Sequence, residues 1–182
     1  MQKPLYLLGT LVAIALGIWG WRTFFQSPER AIRSRLSHLA EEASFGQKES
    51  TLGKATSLFS LMDYFTTNVE VRVEARGFGA HTFNGRDELM EYVKWMRIHF
   101  SSLKLDLLDI NLTVDPDKKS AKANLTGKAQ VSGERDPWIQ EVDVYLKKVD
   151  GNWLIEKVET VRTLGQMPST IPLSPAAFQR AA

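Results

Sequence analysis

Three rhythms of apolar residues divide this chain. Residues Leu5 to Trp21 read LYLLGTLVAIALGIWGW, seventeen positions without a charge. From Ser27 the apolar positions recur at helical spacing, with Ile32, Leu36, Leu39 and Ala43 on one stripe and Arg30, Arg33, Arg35, Glu41 and Glu42 largely opposite. Ser27 suits the N-cap and Pro28 the first helical position, while Phe45-Gly46 ends the helix. A second, shorter helix is expected from about Thr51 to Tyr64, offering Leu52, Ala55, Leu58, Phe59 and Met62 to a core. Then the period changes to two. Val69, Val71, Val73 and Ala75 alternate with Glu70, Arg72, Glu74 and Arg76, which predicts a strand with its valines inward.

Arg76-Gly77-Phe78-Gly79 breaks that strand, and a brief return at His81 to Phe83 leads to Asn84-Gly85. A third helix starts there: Leu89, Val93, Met96 and Phe100 give its buried stripe, and Asp87 and Glu88 suit its positive end. Four long period-two segments follow, Leu103 to Asp115, Ser120 to Ser132, Trp138 to Val149 and Asn152 to Leu164. Turn-forming residues at Asp115-Pro116-Asp117, Gly133 to Pro137 and Asp150-Gly151 separate them, so an antiparallel meander is predicted. From Gly165 onward Pro168, Pro172 and Pro175 mark an irregular tail, residues 165–182.

Length and charge narrow the classes. Of 182 residues, 27–164 form one domain, large enough to bury about two-thirds of its unfolded surface without disulfide or metal. There is no cysteine, which removes thiolate chemistry, cysteine zinc sites and iron–sulfur clusters. Lys plus Arg number 23 and Asp plus Glu 21; without Lys3, Arg22 and Arg180, outside the domain, the balance is 20 − 21 = −1. A near-neutral domain is no nucleic-acid binder by charge.

The run from Leu5 to Trp21 is long enough to span a bilayer at about 1.5 Å per residue, and Tyr6, Trp19 and Trp21 lie where interfacial aromatics belong. A cleaved signal peptide is the rival reading. Yet the run ends in Ile-Trp-Gly-Trp-Arg without a small-x-small site, so residues 1–26 are expected to be an uncleaved signal-anchor and transmembrane helix. Its basic head is only four residues long, which favours an extracytoplasmic (periplasmic) domain on a single-pass cell-membrane protein. The positive-inside count, with Arg22, Arg30, Arg33 and Arg35 after the span, points the other way.

The order of helices and strands resembles the nuclear transport factor 2-like superfamily, which includes SnoaL-like polyketide cyclases and ketosteroid isomerases. Phe83-Asn84-Gly85-Arg86-Asp87-Glu88-Leu89 looks like that group's F-x-G-R-D lead into the third helix, and Asp150-Gly151-Asn152-Trp153-Leu154-Ile155 resembles its D-G-x-W-x-I lead into the last strand. The likeness covers about Pro28 to Leu164. It implies an α+β fold in which a cone-like, curved antiparallel sheet wraps three helices, here preceded by one transmembrane helix. It also implies that the open sheet face can meet a second copy or a protein partner.

The enzyme branches place a carboxylate or histidine base with a tyrosine or aspartate inside the cone. Strict alternation gives few inward polar groups here. Asp106 would share a face with Leu108, Ile110 and Leu112; Gln140 with Val142 and Val144; Glu156, Thr160 and Arg162 with Leu154 and Val158. Asp106, Glu156 and Arg162 are thus the catalytic candidates, and Tyr92, Gln140 and Thr160 the ligand-binding ones; rim residues and ion pairs explain the same pattern. The first helix is aliphatic where the isomerase branch has a tyrosine. His38, His81 and His99 lack metal-ligand spacing, and there is no G-x-S-x-G elbow or P-loop, so no metal, cofactor or nucleophile is expected. Two functional expectations follow. One is a membrane-anchored, non-enzymatic binding or accessory domain that meets a partner protein or a small apolar ligand. The other is a SnoaL-like small-molecule enzyme, an isomerase, cyclase or dehydratase acting in the cone.

Overall fold

A computed structural model describes residues 27–46, 51–75 and 79–164. The apolar run at 5–21, the break at 76–78 and the tail from 165 lie outside the described residues, as do the side chains of Leu52, Ala55 and Ala75. No helix among the described residues is long and apolar enough to cross a membrane.

Three helices, α1 (Pro28–Ala43), α2 (Thr51–Met62) and α3 (Gly85–His99), accompany six strands: β1 (Phe65–Ala75), β2 (Gly79–Asn84), β3 (Leu103–Val114), β4 (Ser120–Val131), β5 (Trp138–Val149) and β6 (Asn152–Thr163). The Ser27 hydroxyl accepts the Arg30 N–H and Pro28 occupies the first turn, so α1 starts where its capping residues place it. At α3 the start is held differently. The Glu88 carboxylate, not the Asn84 side chain, satisfies a donor by accepting the Asn84 N–H at 2.7 Å. Gly85 turns the chain into this helix at φ 82°, in the left-handed region. A side chain there is strained, so Gly85→Ala should cost about 1–2 kcal/mol in denaturant titration.

The strands form one sheet in the order β2-β1-β6-β5-β4-β3. The last four make the expected antiparallel meander. The sheet as a whole is mixed rather than antiparallel, because β1 pairs with β2 antiparallel but with β6 parallel. The physical reason is the connection: β1 reaches β6 only after α3 and four more strands, a path long enough to restore direction, whereas a hairpin would force reversal.

The concave face of the sheet carries the core. Ile32 and Leu36 from α1, Leu61 and Met62 from α2 and Leu89 from α3 pack on Val69, Val71, Ala121, Ala123, Leu125, Val144, Leu146, Trp153 and Ile155. The clean inward face read on β4 is therefore correct. Phe59 is not part of it; its side chain is exposed.

Bulges in β3 and β6 reset the alternation. In β3 the pairing slips between Leu108 and Asn111, with Asp109 at φ 52°, a conformation that Asp tolerates better than most residues. Leu103, Leu105 and Leu107 face in before the bulge, and Ile110, Leu112 and Val114 after it. In β6 the slips fall between Ile155 and Lys157 and between Thr160 and Arg162. Each extra residue flips everything beyond it to the other face.

Candidate functional site

The bulges decide where the candidate residues lie. Asp106 pairs with Lys128 on the outer face instead of sharing a face with Ile110 and Leu112. Its carboxylate meets Lys104 at 3.3 Å, and it borders a groove of about 520 Å³ between α1 and the β3 edge. Glu156 occupies a bulge, with its side chain half exposed and 3.7 Å from Lys147. Arg162 lies outside as well, opposite Glu141 at 3.1 Å. The three catalytic candidates therefore sit on the solvent side, Asp106 on β3 and Glu156 and Arg162 on β6, each beside a different charged neighbour, and do not converge.

Gln140 and Thr160 do face inward, and they meet. The Thr160 hydroxyl donates to Gln140 Oε1 at 3.3 Å, and Gln140 Nε2 donates to the Glu74 carbonyl at 2.7 Å and to Thr163 Oγ1 at 3.1 Å. The Glu74 N–H donates to Thr160 Oγ1 at 3.2 Å, and Thr163 Oγ1 donates to the Glu74 carbonyl at 2.9 Å. The paired rungs of β1 and β6 end at Arg72 and Glu159. Beyond that point these three side chains take over, bonding the Glu74 N–H and carbonyl that the β1–β6 ladder no longer pairs. Gln140 is thus buried for a structural purpose.

Tyr92, the third ligand candidate, packs its ring 4.7 Å from Phe83 and joins Val73, Trp95 and Trp138 around Met96 and Val131. Burial pushes its phenol well above the ordinary tyrosine range, so it stays protonated.

Two polar residues of this end escaped the alternation argument. Trp138 faces inward opposite Ala129, and its indole N–H is buried with no hydrogen-bond partner. Beside it the inner face is shallow: Gly127 and Ala129 are half-buried, as are Leu105 and Leu107 on β3. A Cβ built on Gly127 would meet only the Gln140 carbonyl, at 3.8 Å. The other residue is Arg97, buried between the helices, where it donates to Ser57 Oγ at 2.5 Å and to the Glu42 carbonyl at 3.1 Å over the Phe45 ring. The second bond covers a carbonyl in the last turn of α1, at the negative end of its dipole. Helical spacing held the signal, since Arg97 lies four residues past Val93 and eight past Leu89.

The outer face is polar and internally paired. Lys122 and Asp143 approach to 2.7 Å, Lys157 and Glu159 to 2.7 Å, and the Tyr145 hydroxyl donates to Glu159 at 2.8 Å. Burial works to raise the Asp143 carboxyl, but hydrogen bonds from Lys122 and Asn124 outweigh it and hold the group below its usual range. Hydrogen bonds from Lys157 and Tyr145 lower Glu159 as well. Lys122 is raised by its bonds to Asp143 and Tyr145, and Lys157 by its bond to Glu159. A carboxylate lowered on folding adds stability above its unfolded value of about 4, which is lost as pH falls through the folded value. A raised lysine adds stability below about 10.4, lost as pH rises through its own folded value. The urea midpoint should therefore fall between about pH 5 and about pH 3, and fall less in Asp143→Asn.

Among the described residues no three His, Asp or Glu side chains come together to hold a metal. His81 lies 3.8 Å from Glu88, beyond hydrogen-bond distance.

No family model and no curated protein matches the chain. Solved structures do. The chain is similar to a putative scytalone dehydratase from Novosphingobium aromaticivorans, at 20% identity and a TM-score of 0.54 over 80% of this chain and 93% of that one. It is also similar to a nuclear transport factor 2-like protein of unknown function from Pseudomonas putida, at 8% identity and a TM-score of 0.55 over 79% and 90% of the two chains. A third likeness is to the yeast UBP3-associated protein BRE5, at 14% identity and a TM-score of 0.56 over 77% and 98%. At these identities what is shared is architecture: the described residues have the nuclear transport factor 2-like fold.

Proposed function

We propose that this protein is a non-enzymatic binding domain, held at the cell membrane by residues 5–21 on the extracytoplasmic side, whose cone takes a small apolar ligand at its open end. The observation that carries the reading is the chemistry of the inner face around Gly127. Apolar Leu105, Leu107 and Ala129 surround it, and beside it lies one buried donor without a partner, the Trp138 N–H, which a ligand acceptor entering there would satisfy. A buried donor left unmade costs about 1–3 kcal/mol, which a ligand acceptor would recover. Glu41 and Asp106 border the neighbouring groove that Leu105 and Leu107 also line, but Asp106 faces outward beside Lys104, and it does not converge with the other two catalytic candidates as the dehydratase-like reading needs. The outer face, with its charges already paired within the chain, offers a partner less than the inner face offers a ligand.

The test is binding of an apolar fluorophore, 1-anilinonaphthalene-8-sulfonate, by the folded full-length chain in mild detergent. Saturable binding that Gly127→Val abolishes, with the unfolding midpoint kept, supports the reading. Unsaturable binding, or binding indifferent to Gly127→Val, overturns it.

A further inference from the structure

The fold sorts its ends unequally. At one end, Ser44 Oγ accepts the Leu105 N–H and Phe45 bridges to Leu103, so α1 finishes beside the inner-face opening. At the other end α1 begins, and there Arg35 donates to the Asp63 carbonyl while the Ile155 N–H bonds to Tyr64, where β1 and β6 start. The β3–β4 and β5–β6 turns close at this same end, tied by the Lys148 N–H to the Lys119 carbonyl at 2.7 Å. Arg30 and Arg33 of α1 and Lys118 and Lys119 of the first turn are exposed there, and none enters an ion pair among the described residues.

Chain length fixes which end is near the bilayer. Only residues 22–26 separate the apolar run from Ser27, so α1 starts within about 20 Å of its end. The sixteen residues of α1 then carry the chain about 24 Å further to Ala43. Acidic groups share this end, namely Glu29, Asp63, Asp115, Asp117 and Asp150. They are shorter, and Asp117 is turned back onto the Lys119 N–H at 2.8 Å, whereas Lys and Arg stems extend their charge outward.

We infer that the domain stands on the membrane by this end, with Arg30, Arg33, Lys118 and Lys119 against the phosphates of anionic lipid headgroups, and that the inner-face opening points away from the bilayer into the aqueous phase. The inference rests on the reading of residues 5–21 as an anchor. Its consequence is that the ligand arrives from solution rather than from within the lipid.

The absence of cysteine makes the test direct, because an introduced thiol is the sole label site. Full-length Asn152→Cys and Asp136→Cys proteins, labelled with a fluorophore, are reconstituted into phosphatidylcholine vesicles with or without phosphatidylglycerol and with headgroup-attached nitroxide quencher. Expected is several-fold stronger quenching at position 152 than at 136 when phosphatidylglycerol is present. That contrast should shrink with salt and with Lys118→Glu plus Lys119→Glu, exposed changes that leave the core intact. Equal quenching at the two positions, or stronger quenching at 136, overturns the orientation. A contrast unmoved by charge reversal overturns the headgroup contact. Recovery of the chain in the carbonate supernatant overturns the anchor and this inference with it, and so separates that failure from the other two.

Discussion

Leu125→Ala should destabilise the domain by about 2–5 kcal/mol, whereas Asn124→Ala, one residue away, should cost about 1 kcal/mol. Leu125 is 2% exposed at the centre of β4, in the core cluster to which residues of all three helices contribute. Truncation removes its transfer energy and leaves a cavity that the surrounding Ile32, Leu36 and Val144 cannot collapse into without leaving their own contacts. Asn124 points the other way, so no core volume is lost. Alternation alone would make it a silent surface residue, but its amide donates to Asp143 at 3.0 Å and Glu141 at 3.3 Å. Removing it takes one of the bonds that hold the Asp143 carboxyl down. Urea titration of both variants checks the contrast, and equal losses would contradict the register of β4.

Arg97→Ala should cost about 3 kcal/mol, and Arg97→Met, which keeps most of the packing, about 1.5–3 kcal/mol. Two kinds of loss add up. The Glu42 carbonyl at the end of α1 loses its donor, and the link through Ser57 that ties α2 to α3 disappears. Hydrogen bonds to a charged donor are the stronger kind, and removal of the buried charge itself offsets part of their loss. Arg97→Lys should restore only part of the loss, because an ammonium cannot span both acceptors in the planar geometry of a guanidinium. Thermal unfolding of the three variants would order them Ala, Met, Lys from least to most stable. Wild-type stability in the Met variant would show that Arg97 is packed there without carrying the joint.

The fold was legible because the patterns agree across levels. The cap at Ser27-Pro28 and the glycine turn at Asn84-Gly85 fall where the apolar stripes begin, and turn residues at Asp115 and Asp150 fall where the alternation pauses. The parallel pairing of β1 with β6 was not legible, since nothing local to either strand states which distant strand it meets. The candidate site failed for a narrower reason. Strict alternation from Leu108 to Leu112 puts Asp106 inside, and from Leu154 to Arg162 puts Glu156 and Arg162 inside, whereas one extra residue in β3 and two in β6 reverse the assignments. The trace is visible in hindsight. Apolar residues on β3 sit at odd numbers through Leu107 and at even numbers from Ile110, and on β6 they change after Ile155 in the same way. The change of parity is the bulge. Gln140 and Thr160 were correctly read as inward, but a sequence cannot show that their polar atoms are occupied by the Glu74 backbone. Trp138 passed unnoticed because tryptophan counts as apolar, and only its surroundings show that its N–H lacks a partner.

The central claim is that the open end of the inner face exists to bind rather than to hold the fold, and Trp138→Phe tests it most directly. The substitution keeps an aromatic ring and removes the buried, unpartnered N–H. Paired measurements on the full-length protein, thermal unfolding without ligand and fluorophore affinity, should move in opposite senses. The account predicts an unfolding midpoint unchanged or raised, since an unsatisfied donor has gone, together with an affinity lowered about tenfold for loss of one hydrogen bond. A lowered midpoint with unchanged affinity would contradict it.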